Sequence, residues 1–213
     1  STLTDKDRSK CIYLDKKNIQ DVELLATSTK FSLSFGEESI DVQSSLLGLA
    51  RVENISLAII LAFELGMTKE EILLGLKTVQ PIPHRLQLIQ SNGVYVLDDG
   101  YNCSEVSAKE AIDALCRFEG RRFVVTPGIV EGGELEEEIN SKLGELLASA
   151  QLDRIMLVGG RLTEFIKNGY LRAGGEEEKI GVYCSLEIVK QVLAVELQTG
   201  DAVLFLNDLP DVY

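Results

Sequence analysis

No CxxC pair occurs among the four cysteines, Cys11, Cys103, Cys116 and Cys184. A zinc site built from paired ligands is therefore not expected. Their spacing forms no disulfide framework either, which fits a reduced, cytoplasmic setting. Histidine occurs once, as His84. Any cysteine nucleophile would have that one residue as its base. No apolar run reaches the ~18 residues that a membrane helix needs. Ser1 to Lys10 is polar, so no signal peptide is expected there. The phosphate-cradling pattern G-x-x-x-x-G-K-[ST] is missing throughout. Basic residues number 21 against 34 acidic ones, a net charge of −13. Such a chain repels phosphate backbones, so nucleic acid is not an expected partner.

What is present suits a globular fold. The 213 residues allow one large domain or two small ones, and hydrophobic content is 45%. Lys10 to Leu14 reads as a short strand. Phe31 to Phe35 alternates and reads as another, with Gly36-Glu37-Glu38 as the turn and Ser39 to Val42 pairing back. Val52 to Leu65 reads as an apolar helix that stops at Gly66. Thr68 and Glu71 make a capping box for a helix to about Val79. Two prolines, Pro81 and Pro83, then break the pattern and mark a boundary near 80–83.

After the boundary, Leu86 to Ile89 and Val94 to Leu97 read as a hairpin through Asn92-Gly93. Helices over Glu105 to Phe118, Leu135 to Ala150, Leu162 to Leu171 and Leu186 to Leu197 alternate with further strands. Those strands are Arg122 to Thr126, Arg154 to Val158, Ile180 to Tyr183 and Ala202 to Leu206. This alternation predicts an α/β fold of βαβ units, with a parallel sheet covered on both faces. Glu134 to Glu138 reads as a solvated helical N-terminus. Gly174-Gly175 reads as a flexible surface loop.

The most informative segment is Val96-Leu97-Asp98-Asp99-Gly100-Tyr101-Asn102, with Pro83-His84-Arg85 upstream. A strand ends in two carboxylates, at the edge where open α/β sheets place ligands. Arg85, at the start of the preceding strand, would add a cation to the same cleft, suiting a phosphorylated ligand with a ribose. Adjacent strand residues point to opposite faces, so Asp98 and Asp99 should not form an acid/base dyad. One caps the next turn while the other meets a ligand, or both act as turn elements. Asn54 reads as a first-turn helix residue, and His84 as a base or a positioned structural residue. Gly128-Ile129-Val130-Glu131-Gly132-Gly133 is either a tight strand-to-helix turn or an anion site at a helix start. Cys103 follows the carboxylates in a loop, whereas Cys116 and Cys184 read as small core residues.

These pieces occur together in one family. Gly48, Asn54 and an Ala-rich helix, then Pro83-His84-Arg85-Leu86, then Leu97 to Asn102 with Ser107, resemble the Mur ligases, and among them the MurF type. Val125 to Gly133 looks like the family's V-x-G-D-M-x-E-L-G segment. The resemblance runs from about residue 10 to 206. It implies that residues 1–82 are the C-terminal part of a central ATPase domain, and 83–213 a Rossmann-like C-terminal domain. It also implies a fragment of a longer enzyme, inactive alone, whose partners include the upstream domains of the same parent chain.

By resemblance, the parent uses ATP with Mg2+, both requiring that upstream part, to phosphorylate a carboxylate. It then joins D-alanyl-D-alanine to a UDP-MurNAc-peptide through the acyl phosphate. Asn54 matches the adenine contact, Arg85 the arginine reaching the phosphates, and Asp99 the ribose holder, with Tyr101 and Asn102 lining the cleft. Asn207 and Asp208 fall on the amino-acid side. Departures from the family pattern are Ala50-Arg51 for His-Asn, Ser104 for the second Asn, Gly132 for Leu, and Asn207 to Asp211 for K-G-S-R. Three alternatives remain: a MurF-like paralogue with another substrate, a non-catalytic nucleotide- or partner-binding module, and a subunit completing an ATPase in trans.

Overall fold

The computed structural model of the chain describes residues 13–130 and 132–207. The chain divides into two compact units, Ser1–Gln80 and Pro81–Tyr213. In the first, strands β1 (Ile19–Leu24), β2 (Thr29–Phe35) and β3 (Glu38–Ser44) form an antiparallel sheet in that order. Helices α1 (Leu49–Glu64) and α2 (Lys69–Leu76) follow. The alternation of β2 and β3 turns Phe31, Leu33, Ile40 and Val42 inward, where they pack with Val52, Ile55, Ile59, Ile60 and Ile72 of the helices. Gly66, at φ 87°, ends α1 in a Schellman turn. Gly66 N–H donates to Phe63 O at 2.8 Å, and Met67 N–H to Ala62 O at 3.0 Å. Thr68 and Glu71 cap α2 reciprocally.

Several expectations for this unit need correction. Residues 10–12 of the expected first strand lie outside the described residues, and Tyr13 and Leu14 belong to no strand. The actual edge strand β1 reads Ile-Gln-Asp-Val-Glu-Leu and is mostly exposed, so it carries no apolar alternation to find. Helix α1 begins at Leu49, which puts Asn54 in its second turn rather than its first. Helix α2 stops at Leu76, short of Val79.

The second unit holds a six-stranded sheet of order β4-β5-β9-β6-β7-β8. Its strands are β4 (Gln87–Ser91), β5 (Val94–Asp99), β6 (Arg122–Thr126), β7 (Arg154–Val158), β8 (Ile180–Tyr183) and β9 (Ala202–Leu206). Only β4 runs antiparallel, paired with β5; the other pairings are parallel. The sheet is thus mostly parallel, the α/β arrangement that the alternation predicts. Between strands lie α3 (Glu105–Leu115), α4 (Glu136–Ser149), α5 (Arg161–Arg172) and α6 (Leu186–Glu196). The path steps in one direction from β5 through β6 and β7 to β8, then reverses to β9. Right-handed crossovers therefore put α3, α4 and α5 on one face and α6 on the other. Leu186, Val189 and Leu193 of α6 pack on Phe123, Val125, Met156, Val158 and Val203. The alternate residues Val124, Ile155, Leu157 and Leu204, all buried, serve the opposite face.

On that opposite face α4 and α5 meet through glycine. A Cβ on Gly144 would lie 2.1 Å from Ile166 O, and one on Gly169 2.1 Å from Ser141 O. Gly174-Gly175 is no loose loop. It closes α5 as a second Schellman turn, with Gly174 N–H on Leu171 O and Gly175 N–H on Tyr170 O at 2.9 Å. The Tyr170 ring packs so closely on Gly175 that a Cβ there would sit 2.3 Å from it. Of the expected core cysteines, Cys116 is half-buried and Cys184 exposed.

Candidate functional site

The hairpin β4–β5 sets the site's register. Asn92 and Gly93 both take positive φ, 52° and 79°, as a two-residue type I′ turn demands. The resulting pairing runs from Ser91 with Val94 to Gln87 with Asp98. It delivers Asp98 and Asp99 to the carboxyl end of β5, beside the turn that precedes β4.

That turn, not the strand, carries Arg85. His84 has φ 60° and Leu86 φ 52°, so the arginine is flanked by two left-handed residues and β4 starts only at Gln87. Each such residue costs roughly 1–2 kcal/mol without compensation. The compensation is on hand. His84 Nδ1 donates to Asp98 Oδ2 at 2.8 Å, and Leu86 N–H donates to Asp99 Oδ1 at 2.9 Å. Gly100 N–H donates to Asp98 Oδ1 at 3.2 Å. Tyr101 N–H donates to His84 O at 3.2 Å. The Arg85 guanidinium lies over the Tyr101 ring, 4.1 Å from its centroid, a cation–π contact.

The two aspartates thus diverge as strand geometry requires. Asp99 is 7% exposed, and Asp98 is half-buried. Tyr101 is 56% exposed and Asn102 is exposed. Ser104 caps α3 in a reciprocal box with Ser107. Cys103 is buried. Burial pushes its thiol up to about 11, and the nearby Asp99 charge adds to this against an opposing Ser107 hydrogen bond. Such a thiol is not a nucleophile at neutral pH.

Beside this cluster, the turn after β6 is pinned by buried side chains. Gly128 N–H donates to Thr126 Oγ1 at 3.1 Å. Asn140, fully buried in α4, accepts from Ile129 N–H at 2.8 Å and donates to Ile129 O at 2.9 Å. Gly128, at φ 100°, cannot carry a Cβ, which would fall 2.6 Å from Asn140 Oδ1. The N–H groups of Gly128 and Ile129 therefore have internal partners, and Glu136, Glu137 and Glu138 fill the first turn of α4. Both facts favour the tight-turn reading of this glycine-rich segment over an anion site. Sequence reasoning missed Asn140. The signal was its spacing with Leu143 and Leu147, which places an amide on the apolar stripe of a helix.

Asn207, expected on the substrate side, is fully buried. Its Nδ2 donates to Gly128 O at 2.6 Å and its N–H to Asp99 O at 3.1 Å. It ties the ends of β5, β6 and β9 together and offers no surface to a substrate as it stands. Its Oδ1 is buried without a partner. Asp208 lies outside the described residues. The structure thus brings His84, Arg85, Asp98, Asp99 and Tyr101 together. Asn54 belongs to the other unit, where it is exposed on α1. Among the described residues, no group of three or more His, Cys, Asp or Glu is placed to hold a metal ion.

No protein-family model matches the chain. It is similar to the UDP-N-acetylmuramoyl-tripeptide–D-alanyl-D-alanine ligase of Bacillus subtilis, with 28% identity over 190 residues, 88% of this chain and 41% of the relative. The enzyme of the same name from Escherichia coli is 30% identical over 139 residues, 65% of this chain and 31% of the relative. Among solved structures, the MurF ligase of Thermotoga maritima in complex with ADP matches with a TM-score of 0.73 at 26% identity, covering 90% of this chain and 42% of that one. A MurF structure from Acinetobacter baumannii matches with a TM-score of 0.76 at 25% identity, again over 90% and 42%. The chain therefore spans well under half the length of the relatives it matches.

Proposed function

We propose that this chain, which resembles the MurF-type Mur ligases over most of its length, is the C-terminal part of an ATP-dependent carboxylate–amine ligase of cell-wall precursor synthesis. In this reading residues 1–82 end a central ATPase domain and 83–213 form the C-terminal domain. The parent would phosphorylate the terminal carboxylate of a UDP-MurNAc-peptide with ATP, and D-alanyl-D-alanine would attack the acyl phosphate. A carboxylate is a poor electrophile; phosphorylation supplies the leaving group, and cations must meet the charge on the phosphoryl in transit. The observation that carries the reading is the Arg85 turn, held at the strand end by Asp98 and Asp99 with Tyr101 beside it.

By resemblance, Arg85 would be the cation for the phosphates, with Tyr101 and Asn102 as the cleft wall. Asn54 would be an adenine contact and Asp99 a ribose holder, although here Asp99 is 7% exposed and takes the Leu86 N–H. A phosphate cradle and the ligands of an accompanying Mg2+ would come from upstream. Among the described residues no helix is long and apolar enough to cross a membrane. A cytoplasmic setting accords with the nucleotide-linked substrate.

The test is phosphate release and product formation by the complete protein given ATP, UDP-MurNAc-tripeptide and D-alanyl-D-alanine. Turnover is expected, and Arg85→Ala should lower it ~10²–10³-fold, as loss of an electrostatic donor does. Nucleotide binding without any ligation, on these or related amines, would instead mean a binding module. A second reading, a paralogue with another amine, is favoured by Asn207. Its amide is engaged by Gly128 where the family has K-G-S-R nearby. Ligation of a different amine in the same assay would establish it.

A further inference from the structure

Arg85 sits between two non-glycine residues held in the left-handed region, His84 and Leu86. Such conformations persist only where the surroundings over-determine them, and they gather where geometry matters for function. Here the restraints come from consecutive carboxylates. Asp99 takes the Leu86 N–H, on the C-terminal side of the arginine, at 2.9 Å. Asp98 takes the His84 ring, on the N-terminal side, at 2.8 Å. Because adjacent strand residues point opposite ways, the pair can grip both shoulders of one turn. Tyr101 completes the enclosure, its N–H on His84 O at 3.2 Å and its ring against the guanidinium at 4.1 Å.

Asp98 is poorly placed to serve a ligand itself. Oδ2 is engaged by His84 and Oδ1 by Gly100 N–H at 3.2 Å. Nothing in the family resemblance gives it, or His84, a task. We propose that Asp98 and His84 form a positioning pair: the carboxylate, acting through the imidazole, fixes the turn that aims Arg85 at the phosphate chain of a nucleotide, with the Tyr101 ring as the resting platform. This rests on the reading of Arg85 as the phosphate-facing cation. An arginine on a loose turn would sample many directions. Misplacing a charged group by ~1 Å can cost about 10²-fold in rate.

The test uses the complete protein in the phosphate-release assay, with Arg85→Ala, Asp98→Ala, Asp98→Asn and the double variant Asp98→Ala/Arg85→Ala. Asp98→Ala should lower kcat about ten- to a hundred-fold with KM for ATP nearly unchanged. Asp98→Asn keeps an acceptor for His84 and should recover most of that loss. In the Arg85→Ala background, Asp98→Ala should add less than about twofold, because residues acting as one unit are non-additive. Fully additive losses would make Asp98 a general structural residue and overturn the proposal. Should Asp98→Ala not fold, His84→Gly serves instead, since it tolerates the left-handed backbone but lacks the ring. It should lose kcat as Asp98→Ala does, and undiminished kcat overturns the pair.

If Arg85→Ala leaves turnover intact, the phosphate reading of Arg85 fails and the proposal falls with it. If Arg85→Ala is impaired while Asp98→Ala and His84→Gly are not, only the positioning pair fails. One readout on the 213-residue chain needs no activity. The Arg85 side-chain resonances should be shifted upfield by the Tyr101 ring, and Asp98→Ala should return them toward free-arginine values. An unchanged shift overturns the proposal.

Discussion

Removing the Asn140 amide should unfasten the turn after β6. Asn140 makes three side-chain hydrogen bonds: to Ile129 N–H at 2.8 Å, to Ile129 O at 2.9 Å and to Glu136 O at 2.9 Å. In Asn140→Ala the Glu136 carbonyl keeps its helical partner. Ile129, 4% exposed, has no such reserve. Two buried backbone groups would stand without partners, at about 1–3 kcal/mol each. A loss of about 3–4 kcal/mol is expected, a large share of the ~5–15 kcal/mol that holds a typical domain. With a urea slope of about 2 kcal/mol per molar, the midpoint should fall by roughly 1.5–2 M. Asn140→Asp should fare no better at neutral pH, because its second oxygen would face the two carbonyls that Nδ2 now serves. The assay is urea unfolding by circular dichroism, with hydrogen exchange at the Ile129 amide reporting the second unit alone. A midpoint within about 0.3 M of the parent, with Ile129 exchange unchanged, would refute the reasoning.

Gly169→Ala should destabilise by about 1–3 kcal/mol or more, since the new methyl lies 2.1 Å from Ser141 O and α4 and α5 must part. Gly75→Ala, in helix α2 with nothing within 4 Å, should instead stabilise by about 0.5–1 kcal/mol; thermal unfolding that ranks the two alike would refute the contrast. Cys103, its thiol pushed up to about 11, should resist iodoacetamide at pH 8, where only about one molecule in a thousand carries the thiolate. The exposed Cys184 should label well before Cys103, and equal rates for these two in the folded chain would count against the buried placement. Because the folded thiol keeps its proton above the unfolded value of 9.0, its contribution to stability is complete below pH 9 and declines as pH rises toward about 11.

The sequence by itself determined the second unit's alternation of strands and helices. Strands β6, β7, β8 and β9 coincide with the apolar runs Arg122 to Thr126, Arg154 to Val158, Ile180 to Tyr183 and Ala202 to Leu206. Strands β6, β7 and β9, buried on both faces, must be apolar along their length and so announce themselves. Strand β8, at the sheet edge, is only partly buried and is marked instead by its β-branched and aromatic residues. Local chemistry likewise dictated the Asn92-Gly93 turn and the Thr68 and Ser104 caps, whose partners lie within a few residues. The exposed edge strand β1 escaped notice because, with little side chain to bury, its place depends on pairing with β2.

The candidate site shows the same division. That Asp98, Asp99, His84 and Arg85 belong together was legible from the strand end and its neighbours. Which carboxylate takes which side of the Arg85 turn was not, nor that Asn207 turns inward to Gly128 while Asn140 clasps Ile129. Those pairings join residues far apart in the chain, Asn207 and Gly128 most of all. A local pattern can state that a backbone group needs a partner. Only the packed arrangement of β5, β6 and β9, whose ends converge as neighbouring strands, decides which side chain arrives to supply it.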